Sequence, residues 1–222
     1  MEKYYYAYDK RYRQVHDMNL QWSSDEPTPI LQAMISRYGI QKTDSILEIG
    51  CGEGRDALWL LKQGYHVLGT DISEEAIAYC QKKNPGFFHS FAQLDVCKDK
   101  IPQTFDLIYS VAVIHMLVKQ EDRNQFLSFI RDHLNENGYG LILTMGDGKT
   151  EMSGDITKAF DNVKRTHQMT GQEVTIAATS CRMVGFESFE KEISHNGLHV
   201  VEQGITSIKQ HFPEIMYAVV KG

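Results

Sequence analysis

The chain's strongest constraint is one short stretch. Ser45–Ile49 is an apolar run that stops at glycine. Gly50, Gly52 and Gly54 then alternate with Cys51 and Glu53, and Arg55–Gln63 follows with Ala57, Leu58, Trp59, Leu60 and Leu61. A buried strand, a glycine turn and an apolar helix in succession predict the first half of a βαβ unit, whose helix packs back over a sheet. Gly64 is the helix stop, and Tyr65–Thr70 reads as a second buried strand. Ser73 before Glu74-Glu75 is an N-cap followed by acids that complement the helix dipole. That helix is expected to end near Asn84-Pro85-Gly86. A third strand falls within Phe87–Gln93 and a fourth at Phe105–Ser110. An amphipathic helix follows at Gln120–Leu134, stopped by Asn137-Gly138, and Tyr139–Met145 is a fifth strand.

The end of the chain breaks the alternation. Phe186–His195 reads as a helix. Leu198–Glu202 and Ile215–Lys221 read as strands with no helical pattern between them. The expectation is an α/β fold: a doubly wound, mostly parallel, seven-stranded Rossmann-like sheet with an antiparallel C-terminal edge strand. Residues 1–222 are expected to form a single domain. The segment 147–182 is surplus to the alternation. Within it, Val163–Met169 and Gln172–Ala177 flank Thr170-Gly171, which suggests a β-hairpin. Tyr4, Tyr5, Tyr6, Tyr8, Tyr12 and Trp22 make residues 1–30 either a helix packed on the domain or a lid over a ligand.

Composition excludes several classes of function. The formal net charge is −6, and Lys and Arg form no run, which argues against a nucleic-acid partner. The longest apolar stretch, Phe105–Val118, is too short to span a bilayer and carries Asp106 and His115, so no membrane partner is expected. The opening residues lack the pattern of a secretion signal, and the four cysteines show no CxxC spacing. Reduced thiols and a cytoplasmic location are therefore expected. No HExxH occurs, and Asn196-Gly197 breaks any helix joining His195 to His199, so no metal site is expected.

Alternating glycines let a ligand approach main-chain N–H groups with no Cβ in the way, and the following helix N-terminus suits an anion. A nucleotide-like ligand at the sheet's carboxyl edge is the natural occupant. A dinucleotide fingerprint would place its third glycine where Arg55 stands. Asp71 ends the second strand, where an acid can accept both hydroxyls of a ribose. Asp95 follows the third strand, where a carboxylate can accept from an adenine amino group while Leu94 and Val96 shield the base.

Glu48 with the glycine loop, then Asp71, Asp95 and the strand Phe105–Ser110, in this order, resemble the class I S-adenosylmethionine-dependent methyltransferases. The stretch Gly52-Glu53-Gly54-Arg55-Asp56-Ala57, continuing to Gly64-Tyr65-His66-Val67, looks like the branch that includes tellurite-resistance and thiopurine methyltransferases. The resemblance implies S-adenosyl-L-methionine as cofactor, held by Glu48, Gly50, Cys51, Gly52, Gly54, Arg55, Asp71, Ile72, Asp95, Val96 and Ser110. Within that set, Arg55 meets either the methionine carboxylate or a surface acid. Glu48 either organises the loop or meets the cofactor's amino group. His115 is the one candidate general base, with a side chain packed behind the site on an apolar segment as the plainer reading. Ser110-Val111-Ala112-Val113 lacks the proline motif of enzymes that methylate base or amide nitrogen. The implied reaction is in-line methyl transfer to a small-molecule acceptor by a monomer or homodimer. The alternatives are a non-catalytic S-adenosylmethionine sensor or partner subunit, and a nicotinamide oxidoreductase, which Arg55 opposes.

Overall fold

The computed structural model describes residues 3–209 and 211–222, so Met1 and Glu2 of the expected N-terminal lid lie outside the described residues. A 3₁₀ turn at Tyr4–Tyr6 leads into α1 (Ala7–Asp17), and α2 (Pro29–Arg37) follows. The alternating core is β1 (Ser45–Ile49), α3 (Arg55–Lys62), β2 (His66–Asp71), α4 (Glu74–Lys83), β3 (Phe91–Gln93), β4 (Phe105–Val111), α5 (Gln120–His133) and β5 (Leu134–Thr144). A small two-stranded pairing of β6 (Met152–Ser153) with β9 (Arg182–Met183) encloses a hairpin of β7 (Asn162–Thr166) and β8 (Glu173–Ala177). The chain ends with α6 (Phe186–His195), β10 (His199–Ile208) and β11 (Phe212–Lys221).

Seven strands form the main sheet in the order β10-β11-β5-β4-β1-β2-β3. β1 through β5 run parallel, and β11 runs antiparallel to both β5 and β10. The antiparallel strand therefore lies one place in from the edge, and β10 is outermost. Apolar side chains fill both faces. One layer joins Ile108, Ile142 and Leu47 to Phe126, Ile130 and Phe189, and the other joins Ile46, Leu107 and Leu141 to Leu31, Leu60 and Ile77.

Three element boundaries depart from the expectation, each for a local reason. Pro85, with its fixed φ, opens a 3₁₀ turn over Pro85–Ser90, so the third strand is only Phe91–Gln93. Leu134 leaves α5 in an extended conformation and begins β5, and the next residues loop out between the Phe105–Leu134 and Leu107–Tyr139 pairings. β10 runs on past Gly204, which lies under the Tyr217 ring, so the last two strands form a long hairpin.

Arg123 on α5 connects this frame to the cavity described below. It is fully buried. Its Nε and Nη2 donate to Glu192 of α6 at 3.0 and 2.6 Å, and its Nη1 donates to the Ile114 carbonyl at 2.8 Å. One guanidinium thus fixes α6 against α5 and holds the segment that follows β4. Arg123→Ala strands the buried Glu192 with only Arg182 beside it. The expected cost is about 3 kcal/mol in urea unfolding.

Candidate active site

The cavity opens at the carboxyl ends of β1, β2 and β4, where the strand order reverses direction and parallel α/β sheets bind ligands. Its empty volume is about 1160 Å³ counted to its open mouth. The glycine loop is its floor. Gly50, Gly52 and Gly54 have φ of 75°, 53° and 86°, the left-handed region that only glycine enters without strain. A Cβ at Gly50 would collide with Val113, and one at Gly52 with the Tyr12 hydroxyl. The loop is tied to the end of β2: Gly50 N and Cys51 N both donate to the Thr70 carbonyl, at 2.7 and 2.8 Å.

Buried carboxylates surround this floor. Asp71 accepts from Gly52 N and Ser73 N, each at 2.8 Å, and burial still pushes its carboxyl up to about 6. Glu48 accepts from Ala57 N at 2.9 Å and the Tyr109 hydroxyl at 3.0 Å. Burial, with Asp56 nearby, pushes the Glu48 carboxyl up to about 8. Asp95 accepts from the Tyr6 and Tyr5 hydroxyls at 3.0 and 3.4 Å and from Cys97 N at 3.0 Å. Arg55 faces the cavity while pairing with the buried Asp56 at 2.8 Å and with the Thr28 hydroxyl at 2.8 Å. Its partner is thus a buried neighbour, not a surface acid.

The structure brings Glu48, Gly50, Cys51, Gly52, Arg55, Asp71, Ile72, Asp95 and Val96 together in one lining. Gly54 caps the N-terminus of α3 behind the loop. Ser110 is buried at the end of β4, has no partner for its hydroxyl among the described residues, and lies outside the lining. Its successors Val111, Ala112 and Val113 line the cavity instead. Ala112 has φ of 60°, a strained conformation that turns this segment toward the loop.

His115 does not reach the cavity. It is buried behind Phe212, with ring centroids 6.2 Å apart, and its Nδ1 lies 3.4 Å from Met145 N. Burial, with Arg123 and Arg11 nearby, pushes its pKa down to about 3. A ring that remains neutral and walled off is a packing residue, so the expectation of a general base there is set aside.

Half of the opposite wall was anticipated: Tyr5, Tyr8, Tyr12 and Trp22 belong to the aromatic segment read as a packed helix or a lid, whereas Ser23, Met116, His211 and Phe212 were not singled out. Tyr5, Tyr8, Tyr12, Trp22 and Ser23 from the N-terminal segment, Met116 after β4, His211 before β11 and Phe212 at its start line it. The aromatic run at the N-terminus was the available signal. Glu53 of the glycine loop accepts from Trp22 N (2.7 Å), Ser23 N (2.7 Å) and the Ser23 hydroxyl (2.9 Å), and its Oε1 lies 3.0 Å from His16 Nε2. Nothing in the spacing marked it.

Residues 46–138 match the family model of a methyltransferase domain. That stretch holds the glycine loop, Asp71 and Asp95, and the match supports a class I S-adenosylmethionine-dependent methyltransferase. It is 32% identical over 100 residues to the probable S-adenosyl-L-methionine-dependent methyltransferase TehB of Haemophilus influenzae, a match covering 44% of this chain and 35% of that protein. The chain thus spans about a third of the length of that relative. It is 21% identical over 209 residues to a thiopurine S-methyltransferase of Legionella pneumophila, covering 86% of this chain and 90% of the relative. Among solved structures, the CcbJ methyltransferase of Streptomyces caelestis superposes with a TM-score of 0.71 at 15% identity, covering 96% of this chain and 98% of that one. The 1,6-didemethyltoxoflavin-N1-methyltransferase of Burkholderia thailandensis superposes with a TM-score of 0.70 at 15% identity, covering 99% and 90%.

S-adenosylmethionine is the cofactor of this family, and the residues present fit it. The glycine cradle leaves no room for a Cβ, Asp71 stands where a ribose needs acceptors, and Leu94 and Val96 flank Asp95. The protonation of Glu48 is open to test. A carboxyl whose pKa rises on folding contributes stability below its unfolded value of 4.5 that is lost as pH rises through about 8. Glu48→Gln keeps an acceptor for Ala57 N and removes the titration. In thermal melts it is expected to match the parent near pH 4.5 and to exceed it near pH 8, by at least about 1 kcal/mol or 2–4 °C.

Proposed function

We propose that this protein transfers a methyl group from S-adenosylmethionine to a small-molecule acceptor by in-line displacement. One observation carries the reading. A single cavity joins a nucleoside-type end, built by the glycine loop, Asp71 and Asp95, to an apolar aromatic end built by Tyr8, Trp22, Met116 and Phe212. The relatives named for thiopurine S-methylation and the superposed toxoflavin enzyme support a small acceptor. A net charge of −6 with no basic run argues against nucleic acid.

When bound, the cofactor supplies an electrophilic methyl on a sulfonium. The chain's own part is to position and to exclude water. Asp71 accepts the ribose hydroxyls, the glycine loop presents its amides, and the tyrosines with Trp22 and Phe212 close the other side. Alignment of this kind is worth up to about 7–11 kcal/mol in favourable cases, and a dry site favours dispersal of the cation's charge. No described residue on the acceptor wall serves as a general base. Glu53 is saturated by its donors. Burial raises the pKa of Tyr5, Tyr8 and Tyr12. His211 contacts Ser24 N through Nε2 at 3.1 Å and Gln168 through Nδ1 at 2.9 Å, which commits both ring nitrogens. The acceptor therefore arrives with its lone pair already available.

Two measurements test the reading. Isothermal titration with S-adenosylhomocysteine is expected to show binding that Asp71→Ala weakens by ~2–4 kcal/mol, or about 30- to 1000-fold. The hydroxyl donors favour the ionised carboxylate, so affinity is expected to fall as pH drops through about 6. Unchanged affinity in a folded Asp71→Ala protein would remove the ribose role. Transfer of labelled methyl from the cofactor to a metabolite extract tests catalysis. Binding without transfer would favour the sensor reading.

A further inference from the structure

We propose that Glu53 and His16 form a protonation-dependent latch that fastens the N-terminal strap, residues 7–24, across the cavity, with Glu53 acting as a positioning residue for the acceptor wall. The proposal rests on the methyl-transfer reading for its functional meaning. The latch itself rests on geometry.

His16 sits near the end of α1 between two carboxylates. Its Nε2 is 3.0 Å from Glu53 Oε1, and its Nδ1 is 2.8 Å from Glu75 Oε1 at the start of α4. Ionised carboxylates only accept hydrogen bonds. A neutral imidazole has one N–H, so one of the two contacts would set lone pair against lone pair. Only the imidazolium donates to both. The ring is held for this role by stacking on Tyr79 at 4.5 Å and 20°.

The titratable groups facing His16 are few. The glycine loop presents Glu53, α4 presents Glu75 and Tyr79, and its own helix presents Tyr12 at 6.0 Å between ring centroids. The two acids are the charges that act on the ring, and together they hold its pKa above the ordinary 6.5 against the opposing effect of burial. A histidine whose pKa rises on closure contributes fully below 6.5 and loses its contribution as pH climbs through the raised value. The strap is thus fastened below pH 6.5 and loosens as pH rises through the raised value.

Glu53 extends this effect to the acceptor. The same carboxylate that receives His16 receives both backbone N–H groups of Trp22 and Ser23 and the Ser23 hydroxyl. Trp22 and Ser23 line the cavity, and so do Tyr5, Tyr8 and Tyr12. One loop carboxylate therefore sets the distance between the cofactor floor and the aromatic wall, and deprotonation of His16 leaves it facing a lone pair.

The test uses the full chain carrying Trp59→Phe, so that Trp22 is the only tryptophan. Acrylamide quenching of Trp22 is measured from about pH 6 to about pH 9 without ligand. The quenching constant is expected to rise about twofold across one titration step above pH 6.5, and His16→Gln is expected to flatten the profile. A flat profile in the parent, or an unchanged step in His16→Gln, overturns the latch. Should His16→Gln fail to fold, histidine NMR on the unmutated chain decides: protons on both His16 ring nitrogens in the majority of molecules at pH 6.5 support the latch, and a predominantly neutral tautomer there overturns it. Both readouts are made without ligand, so S-adenosylhomocysteine calorimetry tests the cofactor reading separately.

Discussion

The left-handed turn of the glycine loop is the constraint on which the rest of the site depends. Three positive φ values bring the loop amides back onto the end of β2, where Thr70 and Asp71 accept from Gly50, Cys51 and Gly52. This anchoring aims the N-terminus of α3, whose Ala57 N–H is in turn taken by Glu48. Each carboxylate that organises the loop is buried by doing so, and burial raises the pKa of both Glu48 and Asp71. Loop order and unusual acidity are thus one physical fact. The acids are desolvated because the backbone needs their oxygens, and a ligand's hydroxyl donors would relieve the remaining cost at Asp71.

The core of the fold was legible because its signals are local. Strand, turn and helix from Ser45 to Thr70 follow from apolar runs, glycines and an N-cap within a few residues of one another. The short third strand and the early start of β5 were less legible. Pro85 suits the first residue of a helical turn as well as a break, and the loop-out after Leu134 depends on pairing with Phe105 across the sheet. Of the site, Glu48, Asp71 and Asp95 could be placed from strand ends alone. His115 could not. Its chemistry pointed to catalysis, whereas its surroundings are set by Arg123, Phe212 and Met145. No sequence pattern reports such long-range neighbours.

The N-terminal aromatics serve two ends at once. Tyr4 and Tyr5 belong to the same apolar layer as Ile108 and Phe126, and the Tyr4 hydroxyl donates to Asp122 at 2.9 Å while accepting from Val118 N at 2.8 Å. Burying a tyrosine contributes ~1.5–3 kcal/mol, so these two rings anchor the segment firmly. Beyond them the contacts turn polar. Asp9 accepts from the Ser73 hydroxyl at 2.8 Å, and Arg11 donates to the carbonyls of Ala177 and Ala178 at 2.8 and 2.7 Å. A packed helix and a cover were posed as rivals at the level of sequence. In the fold, the first turn packs into the core, and Tyr8, Tyr12 and Trp22 of the stretch that follows line the cavity.

The two ends of the cavity therefore differ in how they are assembled. The cofactor end comes from residues 48–56, 71–72 and 94–97, all within consecutive β–α units of the parallel sheet. The acceptor end gathers Tyr8 and Trp22 from the N-terminal segment, Met116 from the turn after β4, and Phe212 from the start of β11. The hairpin β7–β8 supports it from outside, where His167 Nε2 meets the Gln21 carbonyl at 2.8 Å. Side chains on three separated segments can change without disturbing the backbone geometry of the glycine loop. On the proposed methyl-transfer reading, this separation would let one cofactor frame accommodate different acceptors. The exception is Glu53, which belongs to the loop by sequence and to the acceptor wall by its hydrogen bonds. A change there alters both ends together.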